Sequence, residues 1–387
     1  MRIPQIRSLV GEHADSSVAL RRAIHRQPEP GHEETATTAL IADALTGAGL
    51  APRVRESGAG LVVEVGSGEP MVAFRADLDA LPIHEHPDHP VCSEVPGMMH
   101  ACGHDAHAAI AVGIARVLAA VDDLPGTVRF LFQPAEEVVP GGAEAMLGEG
   151  VMDGVEAIIA FHVDPSIPPG TVGLRPGPVT AASDRLVVIL RGPGGHTSRP
   201  HETVDLVQAA ARLALDLPAS LQRRNDPRQP LLLVFGHITG GVAENVIPDR
   251  VELGGTVRLF DLDTWRVLPR TVEALVHEIV APTGAAAEVR YDRGAPPVVN
   301  DPGVIAAVTH AATGVLGDEG VLSTHRSLGA EDFAWFLDAA PGALIRLGCA
   351  LPGRRVDLHS AAFDLDERAI PVGMMVGAAA LLRLMAS

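Results

Sequence analysis

Three times before residue 165 a run of apolar, strand-forming residues stops on a group that can carry charge or bind a metal. The run 71–75 leads into Asp77 and Asp79, the run 127–132 into Glu136 and Glu137, and the run 155–161 into His162. Helical spacing fills the intervals, at 17–26 and 35–47 before the first run, then at 106–120 and 142–147. Strands that alternate with helices require right-handed crossovers and a largely parallel sheet. The C-terminal ends of such strands share one edge, where ligands bind. Asp77, Asp79, Glu136, Glu137 and His162 are therefore expected to converge, although they are distant in sequence. A fourth run, 343–348, is followed across a glycine-containing loop by His359.

The grammar changes near residue 182. Strands at 184–190, 231–238, 250–260 and 287–291 and helices at 204–217 and 264–280 give the order βαββαβ, the split pattern of a ferredoxin-like domain. Pro296-Pro297 marks the return. The expected fold class is α/β: a mainly parallel-sheet catalytic domain built from 1–181 and 294–387, interrupted by an inserted ferredoxin-like domain at 182–293.

Composition removes several classes of function. A hydrophobic fraction of 47% over 387 residues supports a real core. The formal charge of −18, with no basic stripe, argues against a nucleic-acid partner. All 30 basic residues are arginine, so a lysine Schiff base and a Walker-type phosphate loop are excluded. Neither a Gly-x-Ser-x-Gly elbow nor a Gly-x-Gly-x-x-Gly fingerprint occurs. Cys92, Cys102 and Cys349 are too few, and odd in number, for a disulfide framework. Residues 1–17 lack the apolar core of a signal peptide, and the apolar run 372–382 is too short to span a bilayer. No membrane association is expected, and the cytoplasm is the default location.

Residues 98–107 concentrate His100, Cys102, His104, Asp105 and His107. Asp105 is the candidate N-cap of the helix that follows, and the helix terminus would favour a thiolate at Cys102. Alone, the cluster lacks the spacing of a zinc finger or a His-Glu-x-x-His site, and structural histidines remain an alternative. Glu136 and Glu137 are adjacent acids, which in a buried cleft need cations or a shared proton to coexist. A solvated loop pair is the alternative, and their place behind a wholly apolar strand disfavours it. Cysteine, histidine and glutamate together suit zinc, manganese, cobalt or nickel. Cys102, His104, Glu137, His162 and His359 are more ligands than one tetrahedral ion needs. Two divalent ions about 3.5–4 Å apart fit better, with a metal-activated water as nucleophile.

The chain also resembles metal-dependent amidohydrolases of the aminoacylase and carboxypeptidase superfamily, closest to the branch of hippurate hydrolases and auxin-conjugate amidohydrolases. The resemblance rests on the segments 74–82, 99–107, 132–137, 161–163, 194–201, 245–249 and 358–360, which lie in family order. It implies two metals held by Cys102, His104, Glu137, His162 and His359, with Glu136 passing a proton from a bridging water to the leaving nitrogen. It implies too that the inserted domain acts as a lid and dimerisation domain, carrying His196 to the active site of a partner subunit in a homodimer. Asn245 and Arg258 fall where substrate is contacted, Arg258 pairing with a carboxylate or, alternatively, serving a cross-strand ion pair. Asp79 is expected behind a ligand histidine. Asp77, His100, Asp105 and His107 could do the same, or cap and hydrogen-bond within the core. The implied substrate is an N-acyl amino acid, cleaved to a carboxylic acid and a free amino acid, with a short peptide as the alternative. Two departures from the family pattern stand out, Ala361 after His359-Ser360 and the early segment Glu29-Pro30-Gly31-His32.

Overall fold

The computed structural model describes residues 3–87, 89–354 and 356–386. They divide into two compact units, one of residues 3–87, 89–177, 299–325, 332–354 and 356–386 and one of residues 178–298 and 326–331.

The first unit holds an eight-stranded sheet. Its central strands, Thr127–Gln133, Met71–Asp77, Val155–Asp164 and Gly342–Gly348, are neighbours in that order and mutually parallel. All four are almost wholly buried, which is why each reads as a near-continuous apolar run. Parallel alignment puts their C-terminal ends on one edge, as the sequence requires. The helix His104–Ala119 packs against Met71–Asp77 and between the helices Ile3–Arg26 and Ala369–Leu384. Its alanines let neighbours close in on every side, so nearly all of it is buried.

In the second unit the order βαββαβ is realised by Ala182–Arg191, Leu206–Arg224, Leu231–Thr239, Arg250–Leu259, Leu262–Val280 and Ala286–Asp292. The four strands form one antiparallel sheet with Leu231–Thr239 and Ala286–Asp292 at its edges. Asp205 and Asp261 cap the two helices by accepting from Gln208 N at 2.9 Å and Thr264 N at 2.8 Å. Each helix buries an apolar stripe, such as Trp265, Leu268, Val272, Leu275 and Val276 at helical spacing. The α/β class and the inserted ferredoxin-like unit stand as the sequence predicts. Residues 326–331, from the far end of the chain, belong to the second unit and carried no sequence signal for it.

Candidate metal centre

Cys102 and His104 flank Gly103, whose φ of 84° is left-handed. A Cβ there would stand 2.5 Å from Val163 Cγ2, so only glycine lets this loop close onto the strand 155–164. Gly103 is also the N-cap of the helix, which begins at His104. The expected cap, Asp105, lies instead in the first turn. Its Oδ2 is 2.7 Å from both Arg21 Nε and His25 Nδ1. The reason is burial: a carboxylate out of water gains more from two cationic partners than from a cap. The expectation for Cys102 also changes, because burial pushes its thiol up to about 12. His104 opposes that effect without overcoming it, so a metal bound at Cys102 would have to displace the thiol proton.

Around this loop the ligand atoms of Cys102, His104 and His162 lie within 4.8 Å of one another, as do those of Cys102, Glu137 and His359 and those of His104, Glu136 and Glu137. The structure thus brings together all five residues named as ligands, with Glu136 beside them. His162 Nδ1 donates to Val163 O at 2.8 Å, which leaves the Nε2 lone pair facing Cys102 Sγ at 3.5 Å. His104 Nδ1 is 2.9 Å from Asp79 O and 3.1 Å from Asp79 Oδ1, so its proton sits on that side. The inner His104 Nε2, buried, has no hydrogen-bond partner among the described residues. It lies 4.0 Å from both Glu136 Oε2 and Glu137 Oε1. His359 Nε2 approaches Glu137 Oε1 to 3.0 Å, yet Glu137 Oε1 also lacks a partner in hydrogen-bond geometry. Unpartnered buried atoms that converge on one space, with a thiol, imidazoles and carboxylates as donors, fit a pair of divalent transition metals.

Two of the contributing backbones are held in unusual shapes. His359 has φ 58° and its N donates to Ala101 O at 2.8 Å; Ala135, just before Glu136, has φ 55°. A non-glycine residue in this region costs about 1–3 kcal/mol, and such outliers gather at functional sites.

The electrostatics are set from behind. Asp77 Oδ2 is 2.6 Å from Arg75 Nη1, and its Oδ1 accepts from His107 Nδ1 at 2.6 Å. His107 Nε2 accepts from Val163 N at 2.9 Å, which commits both its nitrogens and removes it as a ligand. Burial works against the Asp77 charge, but His104, Arg75 and His107 hold its carboxyl well below the usual range. Burial likewise opposes a charged His104, and Asp77 outweighs it, raising that histidine well above its ordinary value, so a metal bound at Nε2 would have to displace the proton held there. His162 is driven the other way by burial and by Arg346, which keeps it neutral and fit to ligate. His100 is buried with both ring nitrogens unpartnered among the described residues, and burial pushes it down to about 4.

Sequence reasoning missed the support beneath Asp77. Arg75 also donates to Gln133 Oε1 at 2.8 Å and pairs with Asp332 Oδ1 at 2.9 Å. A lone arginine inside an apolar strand was a legible signal; nothing in the sequence marked Asp332.

His196, Asn245 and Arg258 belong to the second unit. His196 and Val246 are register partners in a two-residue ladder, and Thr197 N donates to Asn245 O at 3.1 Å, so His196 and Asn245 are neighbours. His196 Nδ1 accepts from Ser198 N at 3.1 Å, which places the ring proton on Nε2, and the side chain is exposed. Arg258 has Ser183 and Leu232 as register partners, neither an acid, and its guanidinium donates to Leu328 O.

Comparison with known proteins gives concordant findings. Residues 73–383 match the pattern of peptidase family M20/M25/M40. A Rhodococcus jostii (strain RHA1) protein with the provisional name glutamate–cysteine ligase 2-3 is 44% identical over 361 residues, covering 92% of this chain but 45% of that protein. The N-acyl-L-amino acid amidohydrolase of Geobacillus stearothermophilus is 39% identical over 299 residues, covering 76% of this chain and 81% of the relative. Among solved structures, the YXEP protein of Bacillus subtilis, described as a dinuclear metal binding peptidase, superposes with a TM-score of 0.85 at 33% identity, covering 97% of this chain and 99% of the other.

Proposed function

The chain belongs to peptidase family M20/M25/M40, a hydrolase family, and on that premise we propose that it is a two-metal amidohydrolase that cleaves N-acyl amino acids to a carboxylic acid and a free amino acid. One observation carries the reading. Two adjacent carboxylates stand 4.0 Å from the unpartnered His104 Nε2, and one of them, Glu137, also meets His359 at 3.0 Å. That leaves Glu137 to join Cys102, His104, His162 and His359 as a ligand and Glu136 to act on protons.

Two ions of zinc, manganese, cobalt or nickel bound there would lower the pKa of water and polarise the acyl carbonyl. The remaining work falls to the chain. Glu136 accepts a proton from the attacking water as the new C–O bond forms and returns it to the nitrogen as the C–N bond breaks. Asp79 holds His104 from behind and so fixes the direction of its Nε2 lone pair. His196, with its proton on Nε2, is a suitable donor to the developing oxyanion, and Asn245 and Arg258 are suitable contacts for the substrate carboxylate.

We further read the second unit as a lid and dimerisation domain, which would let His196 serve the partner's site in a homodimer. The edge strand Leu231–Thr239 supports this, since it leaves Leu232, Val234 and Ile238 exposed. Inactive His196→Ala and Glu136→Gln proteins that regain no activity after subunit exchange would sink that arrangement. Among the described residues no helix is long and apolar enough to cross a membrane. Three free cysteines suit a reducing compartment, and we assign the cytoplasm.

The test is a hydrolysis screen of N-acyl amino acids with manganese, zinc, cobalt and nickel in turn. Turnover of N-acyl amino acids is expected. Resistance of these compounds, alongside cleavage of free-amine dipeptides, would favour a dipeptidase or aminopeptidase.

A further inference from the structure

The segment 29–34 packs against the loop that follows Asp79 and against the loop that carries Glu136. On one side Ala80 N donates to Glu29 O at 2.8 Å, just beyond Asp79. On the other, His32 Nε2 lies 3.0 Å from Pro140 O. A Cβ on Gly31 would meet Val138 Cγ2 at 2.9 Å and Ala135 Cα at 3.3 Å, so the two backbones are close.

Within this clamp Glu34 does something its position does not call for. It is the N-cap residue of the helix Thr35–Thr46, yet its side chain makes no capping bond. That duty passes to Glu29, whose carboxylate accepts from Ala36 N at 3.0 Å and Thr37 N at 2.7 Å. Glu34 is fully buried and its Oε1 accepts from Ala135 N at 2.6 Å. Glu137 N, on the far side of Glu136, donates to Asp79 Oδ2 at 2.8 Å. The amides on either side of Glu136 are thus each held by a buried carboxylate. Ala135 is also the residue with φ 55°, and its carbonyl accepts from Gly142 N at 2.9 Å, so both faces of its peptide environment are tied. Burial pushes the Glu34 carboxyl up to about 7, which makes it a costly residue to keep as packing alone.

We propose that Glu34 is a positioning residue for the reaction: by holding the Ala135 amide it fixes the left-handed turn that aims the Glu136 carboxylate. This rests on the reading of Glu136 as the proton-transferring group. Misplacement of a reacting group by about 1 Å can cost about 10²-fold in rate, so a backbone anchor one residue away has leverage on turnover.

The test measures kcat, KM and bound metal for the metal-loaded variants Glu34→Ala, Glu34→Gln and Glu29→Gln. Glu34→Ala is expected to lower kcat about tenfold to a hundredfold, with KM within about threefold of the parent and metal content unchanged. Glu34→Gln, whose amide oxygen still accepts from Ala135 N, recovers most of the loss. Glu29→Gln, which weakens only the helix cap, stays within about twofold. In a Glu136→Gln background Glu34→Ala adds no further loss, because its effect passes through the missing carboxylate. Parental kcat in Glu34→Ala, or the same fold-loss with and without Glu136, overturns the proposal. If Glu34→Ala does not fold, Glu34→Asp withdraws the acceptor from Ala135 while keeping a carboxyl group, and parental kcat in that variant overturns it equally. Normal turnover by Glu136→Gln alone would instead overturn the reading of Glu136, whatever Glu34 does.

Discussion

Two groups of histidines and carboxylates, the second partly open to solvent at His359, lie in the first unit, and residue types do not tell them apart. Around His25, both ring nitrogens face acids, Nδ1 at 2.7 Å from Asp105 Oδ2 and Nε2 at 2.9 Å from Glu85 Oε1. His89 stacks on it with ring centroids 5.0 Å apart, and His89 Nε2 lies 3.2 Å from Asp364 Oδ1. Around His104, only the outer nitrogen is tied, and the inner one points with Cys102, His162, Glu137 and His359 into a shared space. A histidine between two acceptors must carry a proton on each nitrogen, and an imidazolium has no lone pair for a metal. His25 is therefore settled as a cation within the protein, whereas His104 keeps one nitrogen without a hydrogen-bond partner among the described residues. The lesson is that a buried inner nitrogen left without an acceptor, while the outer one is held by a carboxylate, marks a candidate metal centre better than the count of candidate ligands.

The sharpest separation of the two groups comes from Glu136→Gln, which is expected to lower kcat by about 10²-fold or more while metal content, read by elemental analysis, stays at the parental level. Unchanged turnover would leave the His104 group a metal store without chemistry. Next in size, Cys102→Ala is expected to weaken metal binding by at least the roughly 10–100-fold that follows loss of a group behind a ligand. Full occupancy in a competition with a chelator would make Cys102 a bystander. His25→Asn is expected to leave metal stoichiometry alone and to lower stability by about 1–3 kcal/mol in urea unfolding, the scale for an unsatisfied buried partner. Loss of a bound ion in that variant would erase the distinction between the two groups.

The smallest effect concerns pH. Burial opposes charge on His25, but Asp105 and Glu85 outweigh it and raise its pKa above 6.5. A folded value above the unfolded one means stability fully present below about pH 6.5 and lost as pH rises through the folded value. Thermal midpoints of parent and His25→Asn should therefore converge as pH rises above neutrality. A gap that widens instead would show His25 to be neutral in the fold.

Much of the centre was legible because parallel strands leave their ends on one edge: Asp77, Asp79, Glu136 and His162 were placed by the apolar runs before them. Asp79 is expected from the sequence behind a ligand histidine, and the fold identifies that histidine as His104. What escaped was support supplied from outside that pattern. Asp332 reaches Arg75 from a 3-10 segment with no distinctive periodicity, and Arg346 acts on His162 through strand register, which the two runs alone do not fix. Glu34 reads as an ordinary helix-capping acid, and only the folded chain shows its side chain turned to Ala135. Asp105 failed as a cap for a related reason, since Arg21 and His25 lie eighty or so residues upstream.

The placement of Gly342–Gly348 between Val155–Asp164 and Val172–Leu174 has a consequence for biosynthesis. A chain emerging from the ribosome makes the strand 155–164 long before its inner neighbour exists, and that buried, apolar strand waits with one side unpaired while the whole second unit is translated. An unpaired strand edge invites association with other chains. Production of this protein should accordingly depend on how fast translation reaches residue 348, or on a chaperone that shields the edge until then.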